Sequence, residues 1–168
     1  MASHRRRELL DIGTRAPDFR LPRLVDGQAG DDVSLAGLLA NGPVVLVFFK
    51  VSCPVCQMTL PFLERIHTAA GAALPIYGIS QNDARDTCDF ARHYGLTFPL
   101  LLDDEDTGFV VSNAYGISSV PTLFVVERDG AISTTSEGWS RRDIAALGER
   151  AGTNPLRPSD NVPELKAG

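Results

Sequence analysis

Two cysteines three positions apart, Cys53 and Cys56, stand between an apolar run, Val44–Phe49, and a stretch with helical spacing. A pair so placed can hold zinc, staple the chain or pass electrons. At a strand-to-helix turn a sulfur faces unpaired backbone N–H groups and the positive end of the helix dipole. Such surroundings stabilise a thiolate and lower a thiol pKa below the ~8.5 of free cysteine, which makes Cys53 the candidate nucleophile. Cys56 follows by about one helical turn, near enough to close a disulfide with Cys53 or to cut a mixed disulfide at its sulfur. Pro54 lies in the first turn, where the N–H it lacks would have had no partner. Lys50, just upstream, is either a cation that favours a thiolate at Cys53 or a solvated strand-end charge.

Zinc and a structural staple remain as alternatives. Tetrahedral zinc needs two more ligands. His67 lies about 15 Å further along the same helix by helical rise, and Cys88 and His93 belong to another helix. A staple across so tight a loop constrains the unfolded chain little. The redox reading therefore leads. A second stretch, "GISSVPTLFVVERDG", supplies a partner for the cysteines. Pro121 precedes a strand, where proline is tolerated, and a cis Val120–Pro121 bond would make a purposeful turn. Set against the cysteine pair, its ring would pack on the sulfurs while the Val120 backbone paired with an extended substrate segment. Alone, it would read as an ordinary proline at the first residue of a strand.

The elements that must hold these groups are legible on either side. "PVVLVFF" and "PIYGIS" are short, continuous apolar runs that suit strands buried on both faces. Between them Cys53 to Ala70 carries apolar residues, among them Val55, Phe62 and Leu63, near helical spacing. A strand, helix, strand unit of this length makes a parallel pair. Asp83 can cap a further helix to Tyr94, stopped by Gly95. "FPLLLDD" reads as a strand and Thr107–Tyr115 as a helix. "TLFVVE" and "AISTTSE", joined through "RDG", form a hairpin, so the second half of the sheet is antiparallel. Ser140, three positions before Asp143, caps a last helix, Arg141–Arg150. The fold class is α/β, with a central mixed sheet flanked by helices.

A chain of 168 residues, 43% hydrophobic, is one domain with a real core. Its ordered part spans 13–152, with a flexible N-terminus at 1–12 and a mobile, proline-bearing tail at 153–168. A net charge of −5 argues against nucleic acid and anionic membranes as partners. The basic cluster in "MASHRRR" has no apolar stretch behind it, and no run approaches the ~20 residues of a membrane span. Three cysteines leave at least one thiol unpaired, so a reducing, cytoplasmic setting is expected. Cys88 reads as a small buried hydrophobe or an extra regulatory thiol. "DDED", Asp103–Asp106, reads as helix-start carboxylates or a weak cation site. His67 and His93 have no visible partner, and Trp139 is a packing or rim residue.

"SCPVC", Pro61 and "SVPTLF" together resemble the thioredoxin superfamily. "GTRAPDF" and "FPLLLDDEDTG" resemble the peroxiredoxin (AhpC-TSA) and TlpA-like branches. The resemblance implies a thioredoxin-like fold with an N-terminal extension and a β-α insertion before the cis-proline loop. It implies disulfide exchange at Cys53 and Cys56, with Phe49, Lys50, Pro54, Val55 and Pro121 as active-site support. Val120, Pro121 and Thr122 would bind substrate, a disulfide-containing protein or a small thiol, and a separate donor would return the electrons. No cofactor and no metal is implied. Lys50 stands where a peroxiredoxin carries threonine and Pro121 where its arginine would fall, so peroxide reduction through a Cys53 sulfenic acid is the second reading. Val47 replaces the buried acid of thioredoxin, and Phe49 and Ser52 replace its flanking tryptophans. A redox-inactive binding module is the third.

Overall fold

The computed structural model describes residues 8–168. The chain runs β1 (Arg20–Val25), β2 (Gln28–Ser34), α1 (Leu35–Leu39), β3 (Val44–Phe49), α2 (Pro54–Ala70) and β4 (Ile76–Ser80). It continues through α3 (Ala84–Tyr94), β5 (Leu100–Leu102), α4 (Val110–Ala114), β6 (Thr122–Val126) and β7 (Ile132–Glu137). β8 (Trp139–Ser140), α5 (Arg141–Arg150) and β9 (Leu165–Lys166) complete it. Seven strands form one sheet in the order β2-β1-β5-β4-β3-β6-β7, and β8 pairs with β9 apart from it. β3, β4 and β5 are parallel, while β6 and β7 on one side and β1 and β2 on the other are antiparallel.

β3 is the axis of the core because all six of its residues are apolar and buried. Alternate residues of a strand face opposite ways. Phe48 meets Tyr115 and Phe124 with ring centroids 5.3 and 5.8 Å away. Phe49, on the other face, meets Phe90 of α3 at 5.4 Å. Val47, on that same face, shares a small cavity with Thr59 of α2 and Ile144 of α5. α2, α3 and α5 therefore cover the face that carries the cysteine-bearing helix. Gly78 in β4 makes room there, since a Cβ would lie 2.6 Å from Leu100 Cδ2 and 3.0 Å from the Phe49 ring.

The predicted caps form as read. Asp83 accepts from Asp86 N–H at 2.8 Å and Ser140 from Asp143 N–H at 3.1 Å. Three elements differ from the sequence reading. The N-terminal extension holds a β1–β2 hairpin whose turn, Asp26 and Gly27, has positive φ. β2 is polar and largely exposed, so its hydrophobic pattern is too weak to announce a strand. The predicted Thr107–Tyr115 helix starts only at Val110, because Gly108 and Phe109 sit at φ +66° and +52°. The third difference concerns the ends. Residues 1–7 of the predicted flexible N-terminus, with the basic cluster, lie outside the described residues. Leu10 N–H donates to the Tyr115 carbonyl, and the Leu10 carbonyl accepts from Thr135 Oγ1. The tail expected to be mobile is seated on the domain. Arg65 makes a two-pronged contact with Asp160, Trp139 Nε1 donates to the Pro163 carbonyl, and β9 pairs with β8. Backbone and polar bonds hold this segment together with isolated apolar contacts at Leu156 and Val162, too widely spaced to form a period, which is why hydrophobic periodicity does not reveal it.

Candidate active site

The chain leaves β3 at Phe49 and enters α2 through a turn braced on both sides. Val51 N–H donates to Asn82 Oδ1 at 2.9 Å, and Gln57 Nε2 donates back to the Val51 carbonyl at 3.0 Å. Cys53 N–H closes the turn on the Lys50 carbonyl. Cys53 is then the N-cap of α2, extended at φ −85° and ψ 116°. Its Sγ accepts from Cys56 N–H at 3.2 Å and donates to the Val120 carbonyl at 3.4 Å. One sulfur thus touches both halves of the site. Pro54 occupies the first helical turn, exposed, where its missing N–H costs nothing.

Cys53 is partly exposed and Cys56 fully buried, and both are free thiols. Burial pushes the Cys56 thiol far above its ordinary range, and the hydrogen bond to the Cys53 sulfur adds to the push. The Lys50 backbone and then the Lys50 charge pull the other way and lose. The result is an asymmetric pair: an accessible sulfur and a buried one held as a thiol. The Lys50 side chain is exposed, and its charge acts to lower the pKa of the buried Cys56 thiol.

The Val120–Pro121 bond is cis, as predicted, and Pro121 is buried. Gly138 N–H donates to the Pro121 carbonyl at 2.7 Å and ties the loop to the β7–β8 corner. Thr122 is buried, and its hydroxyl donates to the Ser119 carbonyl at 2.8 Å. That side chain braces its own loop, which corrects the expectation that it faces substrate. Val55 and Phe49 are core residues that support the turn from below. Trp139 is buried, with its ring 4.8 Å from Phe62. Among the described residues no cluster of three or more metal-binding side chains exists, and no helix is long and apolar enough to cross a membrane.

Several participants carry no sequence signal. Asn82 and Gln57 act through backbone contacts across loops. A cavity of about 10 Å³ lies behind Pro121, lined by Val47, Thr59, Ser136 and Asp143, and the Thr59 hydroxyl is buried there without a partner. Asp103 of "DDED" is fully buried and accepts from the Thr107 hydroxyl, the Val111 and Ser112 N–H groups and the Ser112 hydroxyl. It is a structural carboxylate, as the helix-start reading has it.

A thioredoxin-like sheet, a CxxC pair capping the helix after its central strand and a cis-proline loop against the first sulfur define the class of fold and site. A putative thiol:disulfide interchange protein DsbE from Chlorobium tepidum superimposes with a TM-score of 0.71 at 23% identity, covering 84% of this chain and 95% of that one. The AhpC/TSA family profile matches residues 12–135, and the chain belongs to that family. It is similar to the thiol-disulfide oxidoreductase ResA of Geobacillus thermodenitrificans, at 28% identity over 79% of this chain and 74% of the relative. The ResA of Halalkalibacterium halodurans is 30% identical over 79% of this chain and 72% of the relative.

Proposed function

We propose that this chain is a thiol–disulfide oxidoreductase that acts on protein disulfides through Cys53 and Cys56. The single observation that carries the reading is the position of Cys53 Sγ, between Cys56 N–H and the Val120 carbonyl at the start of α2. Kinship with the ResA proteins supports it. In the reducing direction the Cys53 thiolate attacks one sulfur of the substrate disulfide. A mixed disulfide forms, and the other substrate sulfur leaves as a thiolate that takes up a proton. Cys56 then loses its proton and attacks Cys53 Sγ. The Cys53–Cys56 disulfide forms and the second substrate thiol is released. Two electrons pass from the enzyme to the substrate, and an external dithiol must return them.

The buried thiol is quiet until it is needed. While Cys53 is free, its sulfur accepts from Cys56 and opposes a second negative charge beside it. Once Cys53 is bound in a mixed disulfide both influences disappear; burial, the largest cause, still raises the pKa of Cys56, while the Lys50 backbone and charge still act to lower it. The finer choices are proposals as well: a small thiol as alternative substrate, and a reducing compartment.

Cys56→Ser tests the scheme. It should trap a covalent complex with a protein disulfide such as insulin, visible on a non-reducing gel and dispersed by dithiothreitol, whereas Cys53→Ser should trap nothing. A trap that persists without Cys53 would sink the assignment. Saturable, rapid peroxide consumption with no disulfide reduction would favour the peroxidase reading instead.

A further inference from the structure

The segment with the least sequence pattern ends against the redox site. Arg65 holds Asp160, Trp139 Nε1 donates to the Pro163 carbonyl at 2.7 Å, and Arg141 N–H donates to the Glu164 carbonyl at 2.9 Å. β9 then runs antiparallel to β8, with Ser140 opposite Leu165 and Trp139 opposite Lys166. The chain next crosses Gly138, where a Cβ would lie 2.4 Å from the Lys166 carbonyl oxygen. It reaches Val120, and a Cβ on Gly168 would lie 1.9 Å from the Val120 carbonyl oxygen. That oxygen is the acceptor of Cys53 Sγ.

The hold on this segment is weak in a telling way. Residues 165–168 are all exposed, and Leu165 is 74% exposed. Little apolar surface is buried, so little hydrophobic free energy resists removal. What seats the segment is backbone pairing, the same interaction by which an added peptide strand binds a sheet edge. Tethering keeps its effective concentration high without strong contacts.

We propose that Leu165–Gly168 is a cis-acting occupant of the groove that receives an extended substrate chain. The partner this surface fits is an extended polypeptide that pairs with β8 and presents a glycine-sized residue to the Val120 carbonyl. A protein disulfide must displace the segment before Cys53 can attack. A small disulfide reaches the sulfur without doing so. This proposal rests on the oxidoreductase reading above. When a binding-competent state is only a fraction of the population, apparent affinity falls by that fraction, so releasing the segment tightens peptide binding.

Two variants of this chain test it, Lys166→Pro and Gly168→Val, both at exposed positions outside the core. Carboxymethylated insulin B chain, which has no disulfide, is titrated against each protein and read on the fluorescence of Trp139. Insulin and 5,5′-dithiobis(2-nitrobenzoate) are then compared as substrates. Binding of the B chain should tighten by about threefold or more. The KM for insulin should fall to match, with kcat and the small-disulfide rate unchanged. Equal dissociation constants in an enzyme that reduces insulin would overturn the proposal. If no protein in the set reduces either disulfide, the oxidoreductase reading fails, and the B chain titration alone decides whether the segment covers the groove.

Discussion

The turns that follow β3 and β5 pose the same problem and solve it with opposite chemistry. Both strands lie parallel, one on each side of β4, and both deliver the chain to a helix through a turn whose N–H groups need acceptors. After β5 the acceptor is the Asp103 carboxylate, fully buried and engaged by four donors. After β3 it is the Cys53 sulfur, partly exposed, with one N–H at 3.2 Å and one carbonyl at 3.4 Å. A buried carboxylate with every lone pair used is strongly held and cannot leave. A thiol is a weak acceptor and donor, so it can give up both contacts and react. The teaching is that reactivity lives where the cap is chemically soft and the surrounding turn is stiff.

The largest effect should come from separating these two roles. In Cys53→Ser the hydroxyl can still accept from Cys56 N–H and donate to Val120, so urea unfolding should shift by no more than ~0.5 kcal/mol. Insulin reduction should fall by about a thousandfold or more, since a hydroxyl without a base is a poor nucleophile. Asp103→Asn should do the reverse. Its amide sets an NH2 donor against a backbone N–H, that of Ser112 or of Val111, leaving a buried donor unpaired at a cost of about 2–3 kcal/mol. Reduction per folded molecule should be unchanged. A large stability loss in Cys53→Ser would mean that the sulfur is structural, and the contrast between the turns would break.

Legibility in the sequence follows the same division. Cys53, Cys56 and Pro121 are readable because their chemistry is carried by residue type and short spacing. β3, α2, α3 and α5 are readable because burial imposes a period and Asp83, Cys53 and Ser140 mark their starts. What escapes is held by backbone. Asn82 reaches Val51 across 31 residues, and the tail pairs with β8 through main-chain groups that any sequence could offer. The expectation that Thr122 binds substrate rests on its place beside Pro121, but its hydroxyl turns inward to Ser119, and neighbourhood along the chain does not fix where a side chain points.

A middle-sized effect distinguishes the two sulfurs. Burial raises the pKa of Cys56 above its ordinary value of 9.0, and burial does the same to Tyr115, whose ordinary value is 10.0. In the unfolded chain both groups give up protons more readily. Between the unfolded and folded pKa values the unfolded state therefore binds fewer protons, and stability falls as pH rises. Stability should be flat up to about pH 9 and decline above it, as followed by urea midpoints at fixed ionic strength. Cys56→Ala should remove the part of the slope that begins near 9.0 and leave the part due to Tyr115. A slope identical in the two proteins would mean that the buried sulfur is not held as a thiol by the fold.

The smallest effect should come from a carboxylate that resembles Asp103 in hydrogen bonding but not in burial. Glu127 receives both prongs of the Arg150 guanidinium, at 2.6 and 2.7 Å, and the Ser133 hydroxyl. Those bonds hold its carboxyl below the ordinary value of 4.5, the arginine first among them. A depressed carboxylate pKa contributes stability above 4.5 that is lost as pH falls through the folded value. The side chains are 38% and 33% exposed, so water already satisfies much of what the pair supplies. A double-mutant cycle with Glu127→Gln and Arg150→Met should give a coupling of ~0.5 kcal/mol at pH 7 that fades as the carboxylate protonates. A coupling as large as the Asp103→Asn loss would show that geometry alone, not burial, gives a carboxylate its structural weight, and the rigidity of the β5 turn would then need another cause.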